Sequence, residues 1–248
     1  MTIRAVFFDW VNTLVRMDPD RHVVSAHVCR EFGIQVSEVD ILRGIYAAEE
    51  EMAGGRPLRW SADDDPAIYL TYNNRVLAEA GIAALDRATG LKLLQRFAEQ
   101  FRRFAFVAFD DAAPALRELK QQGIVTGLIS NMPHAMQPLI EKAGLAGLLD
   151  VVVTPLDVNG ESKPAAAIFL EAMRRAGTKP EETVHVGDEP FSDGKGARAV
   201  GITPVIIDRH GIFPGLQGYR RITSLQELPG VVEGLQRPVK KRTRTNTD

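Results

Sequence analysis

The chain has 248 residues, 45% apolar and 25% charged, with a formal net charge of −2. That is ordinary globular composition, enough for one large domain or a domain with a sizeable insertion. The near-neutral balance gives no general attraction to nucleic acid or to a membrane surface. A single cysteine, Cys29, excludes an intrachain disulfide and a thiolate zinc cluster. It points to a reducing compartment, so a cytoplasmic location is expected. No apolar run reaches the length of a membrane span, and the opening residues lack the pattern of a cleaved leader.

Ala5–Phe8 is an apolar run that reads as a strand buried on both faces. It stops on Asp9, followed by Val11-Asn12-Thr13. In an open parallel sheet, ligands sit beyond the carboxyl ends of the strands, so Asp9 stands where chemistry is expected. The alternative is a carboxylate that only caps the next segment.

From about Asp18 to Phe104 the apolar residues recur at three- and four-residue spacing, in Arg21–Phe32, Glu38–Met52, Ala67–Ala80 and Leu91–Phe104. Gly33, the Gly54-Gly55 pair with Pro57, Gly81 and Gly90 punctuate them. Ser37, and Asp65 before Pro66, read as helix starts. Glu49-Glu50-Glu51 reads as a solvated helix face, and Cys29 as a buried structural thiol.

Beyond Asp110, helices and strands alternate. Helices are expected over Ala112–Gln122, Pro138–Ala143, Ala165–Ala176 and Gly194–Val200. Strands are expected over Ile124–Ile129, Val151–Thr154, Thr183–Val186 and Pro204–Ile207. Such alternation implies parallel βαβ units. The expected fold class is therefore α/β, a Rossmann-like parallel sheet sandwiched by helices, with a helical-bundle cap inserted after the first strand. The core domain would comprise residues 1–16 and 105–236, and the cap 17–104. Residues 237–248, with Lys240-Lys241-Arg242, would form a disordered basic tail.

Four expected strand ends carry complementary polar groups: Asp9; Ser130-Asn131; Lys163 in Glu161-Ser162-Lys163-Pro164; and Gly187-Asp188-Glu189 with Asp193. A carboxylate can attack a phosphoryl group, while a hydroxyl and a lysine can hold its oxygens. Asp9, Asp188 and Asp193 together would repel one another without a cation, and Mg²⁺ suits such oxygen donors.

Taken together, Phe8-Asp9 with Thr13-Leu14, Leu128-Ile129-Ser130-Asn131, Lys163-Pro164 with Ile168-Phe169, and His185-Val186-Gly187-Asp188 with Asp193 resemble the motifs of the haloacid dehalogenase-like hydrolases. The resemblance runs from Ile3 to about Leu228, in the branch with a helical cap after the first strand. It implies Asp9 as nucleophile, Ser130 and Lys163 as catalytic binders of phosphate or intermediate, and Thr13, Asn131 and Lys163 at the substrate. It also implies Mg²⁺ held by Asp9, the Val11 backbone carbonyl, Asp188 and Asp193, where Asp193 supports the metal or Lys163. The expected partner is a small phosphorylated molecule, not nucleic acid or membrane.

One departure stands out. Phosphatases of this family usually carry Asp-x-Asp-Gly, and here the third and fourth positions are Val11 and Asn12. A backbone carbonyl at position 11 still serves a metal, but the usual general acid is missing, a group worth ~10²–10⁴-fold in rate. Three readings follow. The first is a Mg²⁺-dependent phosphohydrolase of weak activity, with an acid from His22, His27, Arg43, Glu49 or His134, or from water. The second is dehalogenase or phosphonatase chemistry, the latter needing a cap lysine, for which the sole candidate is Lys92. The third is a phosphate- or partner-binding protein that has lost catalysis.

Overall fold

A computed structural model describes residues 2–52, 65–100 and 104–236. The tail at 237–248, the turn with Gly54, Gly55 and Pro57, and positions 101–103 of the expected fourth helix lie outside the described residues.

Strand β1 (Ala5–Phe8) forms where β-branched and aromatic residues run together, and all four of its residues are buried. Around it lie β4 (Val125–Ile129), β5 (Val151–Val153), β6 (Thr183–Gly187), β7 (Thr203–Ile207) and β8 (Arg220–Ile222), in the order β5-β4-β1-β6-β7-β8. Every pairing in this sheet is parallel. Phe8 pairs with Leu128 on one side and with Val186 on the other, so β1 is the point at which strand order reverses. The crevice of an open α/β sheet opens at that point, beyond the carboxyl ends.

Alternation along β1 builds two cores. Val6 and Phe8 pack with Leu116 and Leu119 of α5 (Ala112–Gln121) and Val232 of α9 (Leu228–Gln236). Ala5 and Phe7 pack with Ile168, Phe169 and Met173 of α7 (Ala166–Ala176). Period-two side chains thus fill both faces of the sheet.

The cap consists of α1 (Arg21–Glu31), α2 (Glu38–Met52), α3 (Pro66–Glu79) and α4 (Arg87–Gln100). Their inward faces share a separate core that includes Val28, Cys29, Ile41, Ile45, Tyr72 and Leu77. Asp65 caps α3 as expected, accepting from the Ala67 N–H at 2.9 Å ahead of Pro66. Among the described residues, no helix is long and apolar enough to cross a membrane.

Several expectations need correction. Helix α4 starts at Arg87 rather than Leu91, because Asp86 accepts from the Ala88 and Thr89 N–H groups and caps it earlier. The stretch Gly194–Val200 divides into a π-helical turn (Pro190–Lys195) and the short helix α8 (Gly196–Ala199). Glu49 is not a solvated residue: it is half buried and accepts from Arg21 at 2.8 Å and from the Tyr72 hydroxyl at 3.2 Å. Glu50 and Glu51 are exposed, as the run was read. Two further strands, β2 (Val15–Asp18) and β3 (Ala105–Ala108), pair antiparallel as a ribbon joining core to cap. The sheet also gains β8 at its edge.

Candidate active site

Asp9 follows β1 directly, and its backbone N–H extends the ladder by donating to the Val186 carbonyl at 2.8 Å. Lys163 approaches from the loop before α7, and its ammonium donates to the Asp9 carboxylate and to Asp193 Oδ1, the latter at 2.7 Å. The Lys163 and Asp193 side chains are 2% and 1% exposed, so the pair is sealed from water. His185 Nε2 lies 2.8 Å from the same Asp193 oxygen, and the Glu189 N–H donates to Asp193 Oδ2 at 3.1 Å. Gly187 makes room for this packing, since a Cβ there would lie 2.1 Å from Asp193 Cγ. The structure therefore engages both Asp193 oxygens in holding Lys163, His185 and the backbone.

The second motif anchors the lysine rather than reaching outward. Asn131 Oδ1 accepts from the Lys163 N–H at 2.7 Å, and Asn131 Nδ2 donates to the Lys163 carbonyl at 3.2 Å. Ser130 is 2% exposed, and its hydroxyl accepts from the Met132 N–H at 3.2 Å. The Thr13 side chain is fully buried with no partner for its hydroxyl, and its carbonyl accepts from Arg209 at 2.7 Å. Arg209 also grips both oxygens of Asp111, so the loop after Asp9 is tied to the start of α5.

On the other side of Asp9 stands Asp188, at the end of β6. Its Oδ2 accepts from the Tyr46 hydroxyl at 2.6 Å and from Asn12 Nδ2 at 3.1 Å. Asn12 reaches it because its backbone is left-handed, with φ of 59°, a conformation that asparagine tolerates well. Tyr46 comes from α2 of the cap and rests edge-on against Phe213, with ring centroids 5.3 Å apart. Tyr46 and Glu189 also line a cavity of about 420 Å³, whose other walls include Glu49, Phe191, Ile212 and Phe213.

The electrostatics follow from burial. Desolvation pushes Asp9 up to about 6, against the pull of Lys163 and with a further push from Asp193. Asp188 is pushed well above the carboxylate range by burial and then by Asp9 and Asp193, although Tyr46 and Asn12 oppose this. Glu189 is raised as well, by burial and by Glu49 and Asp188 beside it. Burial would also raise Asp193, but Lys163 and His185 outweigh it and hold that carboxyl far below its usual range. The site is thus a fixed Lys163–Asp193 ion pair beside three carboxylates that resist ionising, Asp9, Asp188 and Glu189.

The structure brings Asp9, Ser130, Asn131, Lys163, Asp188 and Asp193 to one sheet edge. It does not bring most of the proposed proton donors there. His22 faces His210, with ring centroids 5.1 Å apart, and His27 pairs with Glu31 at 3.0 Å. His134 and Lys92 are exposed. Of the cap candidates, Glu49 meets the site's acidic side, bonding to Glu189, and Arg43 lines the same cavity. Tyr46, which the sequence pattern left unassigned, is a cap side chain that touches Asp188 at the end of β6. Its place on α2 between the buried residues Ile45 and Ala48 was the one available signal.

A parallel sheet with a buried carboxylate and lysine paired at its switch point, under an inserted bundle of helices, is a capped α/β architecture. The chain belongs to the haloacid dehalogenase-like hydrolases, whose pattern it matches over residues 3–201. It is 35% identical over 209 residues to the human haloacid dehalogenase-like hydrolase domain-containing protein 3, covering 84% of this chain and 82% of that protein. It is 27% identical over 221 residues to the glyceraldehyde 3-phosphate phosphatase of Methanopyrus kandleri, covering 84% of each. Among solved structures it is similar to a phosphatase of this family from Thermococcus onnurineus, with 28% identity and a TM-score of 0.56, over 94% of this chain and 99% of that one.

Proposed function

We propose that the chain is a phosphohydrolase for a small phosphorylated molecule, with Asp9 as nucleophile and Mg²⁺ as cofactor. The observation that carries this reading is the Lys163 ammonium, bonded to the Asp9 carboxylate and anchored behind by Asp193. Such a fixed cation neutralises Asp9 and meets the charge on phosphoryl oxygens. The glyceraldehyde 3-phosphate phosphatase among the similar chains supports a small phosphorylated substrate.

The donor set fits a divalent cation. Burial pushes both Asp9 and Asp188 up, Asp193 adds to each, and Asp9 adds to Asp188; a hard cation relieves that conflict. Among the described residues, no three His, Cys, Asp or Glu side chains form a ready metal cage. Mg²⁺ fits that sparseness, since it keeps waters and takes only one or two carboxylates. Asp9 and Asp188, with the Val11 carbonyl, would hold it, and it would neutralise charge on the transferred group. Asp193 belongs with Lys163 instead.

In the reaction an Asp9 oxygen attacks phosphorus, the bond to the leaving oxygen breaks, and an acyl phosphate forms on Asp9. Lys163 stays charged throughout and holds the equatorial oxygens together with Ser130. Asn131 keeps the Lys163 backbone in register. Water then releases phosphate and restores the carboxylate. The lone free cysteine fits a reducing, cytoplasmic setting.

The test is a time course with p-nitrophenyl phosphate and acetyl phosphate, with Mg²⁺ or with EDTA, for the wild type and Asp9→Asn. Both leaving groups depart without much protonation. Release that needs the metal and Asp9 is expected. No release from either substrate, or release that persists in EDTA, overturns the reading.

A further inference from the structure

Val11 leaves the leaving-group side of Asp9 without the carboxyl that normally stands there, and the cap brings a hydroxyl to the adjoining Asn12 and Asp188. We propose that Tyr46 is a catalytic residue of this hydrolase, donating a hydrogen bond to the substrate oxygen that departs as the phosphoryl group passes to Asp9. The proposal builds on the phosphohydrolase reading above.

Three observations place the hydroxyl. It lies 2.6 Å from Asp188 Oδ2 and within 3.5 Å of Asn12 Nδ2, the residue after Val11, so it reaches the nucleophile loop as well as the end of β6. Tyr46 is also a wall of the 420 Å³ cavity between α2 and the core, whereas Asp9 and Asp188 are not. A substrate with its phosphoryl group on the carboxylates and its remainder in the cavity therefore passes Tyr46 at the bridging oxygen. The ring is held there by its edge contact with Phe213.

The other hydroxyls nearby do not compete. Thr13 is fully buried, Ser130 is assigned with Lys163 to the equatorial oxygens, and Ser192 donates to Glu189. When substrate enters, the Tyr46 hydroxyl exchanges a carboxylate acceptor for the bridging oxygen and keeps its own proton. The departing oxygen retains the electron pair of the broken bond, stabilised by that donor, and takes its proton from water. A neutral donor aimed at developing charge is an oxyanion-type contact.

The test uses phenyl phosphate and p-nitrophenyl phosphate, which share a shape and differ in the basicity of the leaving oxygen. Tyr46→Phe is expected to lower kcat/KM for phenyl phosphate about tenfold, the worth of one hydrogen bond. For p-nitrophenyl phosphate the change should stay within about twofold, with KM held in both cases. In a Val11→Asp background, where a carboxyl takes over, the Tyr46→Phe loss on phenyl phosphate should shrink. Equal losses on both substrates, or an undiminished loss beside Asp at position 11, overturn the role of Tyr46 and leave the phosphohydrolase standing. A wild type that hydrolyses neither ester overturns both.

Discussion

Lys163 Nζ and Asp193 Oδ1 lie 2.7 Å apart with side chains 2% and 1% exposed, and the same ammonium reaches Asp9. The lysine thus joins two carboxylates that would otherwise repel each other across a dry interior. Lys163→Met leaves both charges without their partner, and breaking a buried pair in this way costs about 3–5 kcal/mol. Urea unfolding should show that loss, together with loss of hydrolysis. A Lys163→Met protein as stable as the wild type would remove the ion pair from the structural argument.

At Gly44 the backbone of α2 packs tightly against that of α3. A Cβ at this position would lie 2.2 Å from the Val76 carbonyl oxygen, and backbone cannot swing aside as a side chain can. Gly44→Ala is therefore expected to push the helices apart at about 1–3 kcal/mol. Because Tyr46 sits only two residues further on, the shift should also lower kcat/KM for phenyl phosphate more than for p-nitrophenyl phosphate. Thermal unfolding and that ratio check the two parts separately.

Position 11 offers a gain instead of a loss. Val11→Asp returns a carboxyl to the leaving-group side, and general acid catalysis contributes ~10²–10⁴-fold where it operates fully. A rise of about tenfold or more in turnover of alkyl phosphates is expected, with little change for acetyl phosphate. No rise on alkyl phosphates would mean that the proton demand is already met.

Cys29 is 1% exposed, and burial pushes its thiol up to about 11. The thiolate is the reactive form, so alkylation of the folded protein at pH 8 should lag a free thiol by about 100-fold or more. Labelling should become fast in urea. Rapid labelling under native conditions would show that the cap opens around α1.

Much of this was legible in the residues. Asp9 at the end of an apolar run, Lys163 before Pro164, and Asp188 after Gly187 each follow from local pattern plus the rule about strand ends. What stayed hidden is what depends on contacts between distant segments. Strands β2 and β3 are four residues each, mixed in exposure, and pair across the whole cap, so no period marks them. Strand β8 carries Arg220 and Arg221 because it is an edge, and two arginines hide a strand from hydropathy. Tyr46 meets Asp188 across 142 positions, and on its own helix it looks like any half-buried aromatic. Glu49 sits in a run of three acids, and only the packing of Arg21 and Tyr72 against it separates it from Glu50.

The ribbon made by Val15–Asp18 and Ala105–Ala108 sets Asp18 directly opposite Ala105. The four described cap helices lie between those two residues, so the chain leaves the core and returns to it through this one ribbon. In wiring terms the cap is a hairpin turn grown to the size of a bundle, and the six parallel strands are indifferent to its length. Cap residues on the cavity wall can therefore change while Asp9, Lys163 and Asp188 keep their places, as long as α2 still brings its hydroxyl to Asp188.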